Sequence, residues 1–262
     1  MDDYKKFFPL LAVLPLFTVF WFWIEKTNED QVHFSYEELE TLRPSLQSLL
    51  NLIGSKQGQY ALVNRGFPGD TPAGWVKENL GKEITQMDFN TLRAHQGGKA
   101  SSCWHNGVRG EADLYAVGRY HFIPCTLQLA AKRIADFHTD ALFNEEMQDV
   151  LGVFLLIEKR PKIREYLVGY RTNHQQAAQE LAMEFSAVPL QFSNGYCKRG
   201  QSFHCKKYSS QPILDISAVD IELKEARQNI QKDGTLRILL REKENIQTKI
   251  HRWWNHMTDG RK

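Results

Sequence analysis

The sequence has almost no net charge: 33 Lys and Arg stand against 31 Asp and Glu, for a balance of +2. That removes the electrostatic basis for general nucleic-acid binding, and no nucleic-acid partner is expected. No phosphate-cradling Gly-rich loop of the P-loop or Rossmann kind occurs, and no Gly-x-Ser-x-Gly. The nine histidines contain no His-Glu-x-x-His and the four cysteines no Cys-x-x-Cys, so neither a metal site nor a cofactor is expected. No internal repeat is present. Long apolar runs are also missing, with a single exception at the N-terminus.

That exception is Phe7 to Ile24, 18 residues without a charge. As a helix it measures about 27 Å, the thickness of one bilayer core. Pro9 and Pro15 are tolerable in a membrane helix, and Trp21 and Trp23 suit the water boundary. Lys5 and Lys6 precede the run, so the positive-inside rule leaves the short N-terminus in the cytoplasm and exports the rest. The expected location is a single-pass inner membrane protein with a periplasmic main domain. A cleaved signal peptide is the rival reading, but the run is long for one and no small-x-small site follows.

Four cysteines fit an exported domain. Cys103 and Cys125 are 22 positions apart, Cys197 and Cys205 eight. Three pairings remain open; proximity in an oxidising compartment favours 103 with 125 and 197 with 205.

Residues 1–24 are therefore the cytoplasmic tip and anchor, 25–34 a polar linker, 35–231 the main domain and 235–258 a separate amphipathic helix. Leu39, Leu42, Leu46, Leu49, Leu50 and Ile53 recur at helical spacing, predicting a helix from Tyr36 to Ile53 with Ser35 as N-cap and Gly54 as its stop. Residues 54–75 and 97–113 are rich in turn formers and predict loops with at most short strands. Further helices are expected over Thr85–Gln96, Pro124–Phe137, Glu145–Lys159, Gln175–Ser186 and Ser217–Gln231. Glu145–Lys159, capped by Asn144 and stopped by Pro161, is the most apolar and the expected centre of the core. In the tail, Leu236, Leu239, Ile246, Ile250, Trp253 and Met257 repeat at three and four, with Lys243 in one apolar slot and Arg237, Arg241, Lys249 and Arg252 around them. Such a helix packs on its own domain, on an envelope partner's helix or on an anionic membrane surface.

Several segments occur in one order: Tyr60-Ala61-Leu62-Val63-Asn64-Arg65-Gly66, Gly118-Arg119-Tyr120-His121-Phe122-Ile123-Pro124, Phe143-Asn144 with Gln148-Asp149, Glu184-Phe185-x-Ala187-Val188-Pro189, and Gly200-Gln201-Ser202-Phe203 with Tyr208. Together, over residues 45 to 228, they resemble the phage-type muramidases and lytic transglycosylases related to lambda endolysin. The resemblance implies a predominantly α, lysozyme-like α+β fold with a small strand and loop region. It also implies a groove for peptidoglycan glycan strands, bordered by Tyr60, Asn64, Arg119, Tyr120 and His121. Arg119 reads as a brace for the loop, and Tyr120 and His121 as either sugar contacts or core residues.

Cutting a glycosidic bond needs a carboxylic acid to protonate the leaving oxygen. The resemblance places that acid, a Glu, at the end of the first helix. Here the window reads Gly54-Ser55-Lys56-Gln57-Gly58-Gln59-Tyr60, so Ser55, Lys56 or Gln57 takes its position. Glu111 and Asp113, just ahead of the Gly-Arg-Tyr phrase, are the best substitutes; Asp70, Glu78 and Glu83 are weaker ones. The expected function is a membrane-anchored, lysozyme-like protein acting on peptidoglycan, either as a glycosidase or lytic transglycosylase, or as a binder without catalysis. A scaffold that binds an envelope protein through its tail helix is the third reading.

Overall fold

A computed structural model describes residues 32–65, 71–72, 74–97, 114–205 and 213–259, with the side chains of the last helix described through residue 246 and at 248. The apolar run Phe7–Ile24, Asp70, Cys103, Glu111, Asp113, Lys206 and Lys207 lie outside these residues. Among the described residues no helix is long and apolar enough to cross a membrane. The body His33–Lys262 is predominantly helical, as expected.

Helix α1 runs Tyr36–Gln57. Its start follows from a reciprocal cap: the Glu38 N–H donates to Ser35 Oγ (3.1 Å) and the Ser35 N–H to the Glu38 carboxylate (2.7 Å). The Leu39–Ile53 stripe is buried throughout. Gly54 does not stop the helix, contrary to the sequence expectation; α1 continues for three more residues to Gln57. Gly54 is a glycine for another reason: a Cβ there would stand 2.0 Å from Nε of Arg119, which crosses the helix at this point. The body also begins earlier than residue 35. Phe34 is fully buried, and the Phe34 N–H (3.2 Å) and His33 Nδ1 (2.9 Å) both meet the buried Glu158 carboxyl.

After α1 come strand β1 (Val63–Asn64), helix α2 (Trp75–Leu80), a 3₁₀ turn (Ile84–Gln86) and helix α3 (Phe89–His95). The single helix expected over 85–96 is thus two pieces. Asp88 divides them: it is extended, and its carboxylate accepts from the N–H and hydroxyl of Thr91, which starts α3 afresh. Strand β2 (Ala116–Val117) pairs antiparallel with β1, Val63 opposite Val117 and Asn64 opposite Ala116.

Helix α4 spans Pro124–Arg133 and ends short of the expected Phe137. Ala135 is drawn off to exchange backbone hydrogen bonds with Phe34 and Tyr36, and Asp136 turns left-handed at φ 57°. Helix α5, Glu145–Phe154, starts on the Asn144 cap and continues as one π-helical turn, Leu155–Lys159. Met147 to Glu158 are all buried, making it the centre of the core as expected. Pro161 stops it and also opens the next helix, α6 (Pro161–Val168), at a position where its missing N–H costs nothing. Helix α7 is His174–Glu184, capped by Asn173; α8 is Ile216–Asp233; α9 is Thr235–Asp259, broken from α8 at Gly234 (φ 77°). α1 is sandwiched between α5 and α8.

Cys197 and Cys205 form the disulfide expected from their spacing, closing the loop after α7. The pairing proposed for Cys125 involves Cys103 and so falls outside the described residues.

Candidate functional site

The end of α1, the turn at Tyr60 and the Gly118–His121 segment converge on the start of α5. Asp149, second in the pair Gln148-Asp149, is only 5% exposed. Its carboxyl accepts from the hydroxyl of Tyr120 (2.7 Å) and of Tyr60 (3.1 Å to each oxygen). Gln148, fully buried, ties the same segments by their backbones. Its Oε1 accepts from the Arg119 N–H (2.8 Å), and its Nε2 donates to the carbonyls of Tyr60 (3.0 Å) and Phe143 (3.1 Å). Two adjacent polar side chains thus fix two distant loops. Both are buried, unlike Glu145 and Glu146 at the exposed start of α5.

Arg119 lies over the Tyr60 ring at 4.7 Å and reaches Asn51 Oδ1 (3.1 Å). Its side chain thus spans from the loop to α1 across Gly54. Burial, reinforced by the Asp149 carboxyl, raises the Tyr60 phenol to about 12, with Arg119 opposing. Tyr120 is pushed up further for the same reasons. Both stay neutral donors at physiological pH.

Tyr120 is 3% exposed and packs edge-on against Phe122 and Phe185. Tyr120 is therefore a core side chain in this structure. Its side chain closes against Gly152, where an added Cβ would lie 3.2 Å from the ring. Asn64 is likewise buried, in β1. Tyr60 and Arg119 keep exposed surface, and Arg65 stacks on Trp75 at 4.2 Å.

The acid window resolves into an outer and an inner side. Ser55 is exposed, its hydroxyl donating to the Leu52 carbonyl, and Lys56 is exposed. Gln57 is the inward residue, 9% exposed, with its Oε1 accepting from Ser186 Oγ at 3.4 Å. Its carbonyl sits beside the His121 ring. Burial lowers the pKa of His121, and the Gln57 carbonyl offsets this only in part. The ring's Nε2 is buried without a hydrogen-bond partner, on a residue held at φ 53°. A strained backbone and an unsatisfied buried nitrogen are both costs, and both cluster at functional positions.

The lowered pKa gives a pH signature. The unfolded chain protonates His121 near 6.5 and the folded chain resists, so stability is intact above that value and falls as pH drops through it. His121→Gln removes that component. In urea unfolding compared between neutral pH and about pH 5, the wild type should lose more stability than the variant. Equal losses would show that His121 titrates freely in the fold.

The described part of the cluster holds one carboxyl, Asp149, and both its oxygens are occupied. Glu78 is exposed on α2 and Glu83 precedes the 3₁₀ turn. The segment carrying Glu111 and Asp113 falls outside the described residues, but its two flanks are tied beside β2, where the Leu114 N–H donates to the His95 carbonyl (3.0 Å). No group of three or more His, Cys, Asp or Glu among the described residues is placed to hold a metal ion.

The roles of Gln148 and Asp149 are what sequence reasoning missed, although a signal was present: they follow the exposed pair Glu145-Glu146 into the most apolar helix of the chain, and no polar residue comes after them until Glu158. No family model, curated protein or solved structure matches this chain.

Proposed function

We propose that this is a membrane-anchored, exported, lysozyme-like protein that holds peptidoglycan glycan strands without cutting them. The observation that supports it is the last turn of α1. It presents Ser55 and Lys56 outward and Gln57 inward where the resemblance calls for a glutamic acid. Around it Tyr60, Arg119 and Tyr120 are nonetheless pinned by Gln148 and Asp149. A neutral amide can hydrogen-bond a sugar; it cannot deliver a proton to a glycosidic oxygen. A single anchor would keep the domain close to the cell's own wall, which suits local remodelling around an envelope machine.

A cleaving reading, as muramidase or lytic transglycosylase, draws on one specific observation. The flanks of the segment bearing Glu111 and Asp113 meet at β2, the strand that leads into Gly118.

Co-sedimentation of the purified chain with sacculi, run beside dye release from labelled sacculi, decides between them. Sedimentation without release is expected. Release that disappears in Glu111→Gln would establish the hydrolase instead. A chain that stays in the supernatant would discard the glycan reading and favour the scaffold.

A further inference from the structure

Lys243 divides α9 into two unlike halves. Before it, Leu236 and Leu240 are buried against the domain, and the Arg237 guanidinium donates to the Val168 carbonyl (2.9 Å). Lys243 itself donates to both oxygens of Glu38 (2.7 and 2.9 Å), with its ammonium 5.0 Å above the Phe34 ring. Past it every described side chain is exposed, and Ile246 is a large apolar residue at 55%. Yet the helix runs on to Asp259, roughly 24 Å further at 1.5 Å per residue.

The sequence of that stretch has a distinct pattern. Ile246, Ile250, Trp253, Trp254 and Met257 fall in one stripe about 100° wide, on the side that carries Leu236 and Leu240 further back. Lys249 and Arg252 are off this stripe, Arg261 and Lys262 follow, and Asp259 is the single acid after Glu244.

We infer that residues 244–259 form an interfacial helix that docks on an anionic lipid surface. Three features select that occupant. After Glu244 the sequence carries four cations, Lys249, Arg252, Arg261 and Lys262, against the single Asp259, a balance that complements anionic headgroups. Tryptophan favours the headgroup boundary, and two at consecutive sequence positions suit a flat surface better than the narrow seam of a coiled coil with a second copy. Finally, Lys243 grips the residues Phe34 and Glu38, where the chain first joins the body. Ile24, at the end of the apolar run, precedes Phe34 by ten residues, at most about 35 Å of chain. This last point rests on the proposed reading of Phe7–Ile24 as a membrane anchor.

The test uses the full chain reconstituted in nanodiscs of phosphatidylcholine alone or mixed with phosphatidylglycerol, with amide hydrogen exchange read over residues 246–259. Exchange there should slow about tenfold in the anionic discs relative to the neutral ones. Trp253→Ser with Trp254→Ser, and separately Lys249→Glu with Arg252→Glu, should restore fast exchange and leave α1 unchanged. Equal exchange in both lipids, or protection that grows with protein concentration regardless of lipid, would overturn the inference. The anchor is judged separately. A chain that fails to enter discs lacks it, and anionic vesicles are then added to that chain. Protection under those conditions retains the interfacial helix and sinks the anchor; no protection sinks both.

Discussion

Asp149→Ala should lower the unfolding free energy by about 3 kcal/mol, read as a shift in the urea midpoint without a large change in slope. The magnitude follows from what the carboxyl leaves behind. Tyr120 is buried, and its hydroxyl has Asp149 as the acceptor at 2.7 Å; Tyr60 loses the same partner. A buried donor stripped of its acceptor costs about 1–3 kcal/mol, whereas removing both members of a pair costs much less. Tyr120→Phe keeps the ring against Phe122 and Phe185 and leaves Asp149 the Tyr60 hydroxyl as a donor, so it should cost only about 1 kcal/mol. If the proposed function holds, Asp149→Ala should also weaken sacculus binding under conditions where the variant is still folded. Without Asp149 the Tyr60 ring, and the Arg119 guanidinium lying on it, lose their fixed position. An Asp149→Ala protein as stable as Tyr120→Phe would mean that the tyrosine hydroxyls find other acceptors, and the clamp would not be what organises the site.

Gly118→Ala is expected to cost about as much, for a different reason. Gly118 stands at φ 73°, where an L side chain carries roughly 1–2 kcal/mol of strain. Its Cβ would in addition meet Gln148 Oε1 at 2.3 Å. Gln148 must then move, and its three hydrogen bonds to Arg119, Tyr60 and Phe143 go with it. Strain and lost bonds together amount to about 3 kcal/mol. Gly200→Ala supplies the control. Its φ is 83°, but nothing lies within 4 Å of the new Cβ, so only the strain is incurred. Comparing the two midpoints isolates the Gln148 contribution. Indistinguishable losses would show that the Gln148 lock contributes little.

Local order was the most legible part of the chain. The Leu39–Ile53 stripe, the Ser35 and Asn144 boundaries and the Cys197–Cys205 bridge all follow from spacing and short-range chemistry, and all are present. Where the reading went astray, a distant segment had intervened. Gly54 resembles a helix stop because glycine usually is one; here it makes room for Arg119, 65 positions later. Residues 134–137 have helical composition, but Ala135 is taken by the backbone of Phe34 and Tyr36. Lys243, a flaw in an apolar repeat, is balanced by Glu38 and the Phe34 ring.

The same division runs through the candidate site. Sequence alone determined that the window Gly54–Tyr60 contains no glutamic acid, that Gly118–His121 follows a loop, and that Gln148 and Asp149 are the last polar residues before a long apolar run. It also determined the helical stripes, because the burial of a periodic face depends only on residues three and four apart. Only the tertiary structure decided that Gln57, rather than Ser55 or Lys56, points inward; that Tyr120 belongs to the core; and that Asp149 joins two tyrosines 60 positions apart. Those outcomes depend on which buried polar atoms meet across the fold. Hydrogen bonds select partners by distance and angle in space, and a linear pattern does not carry that information.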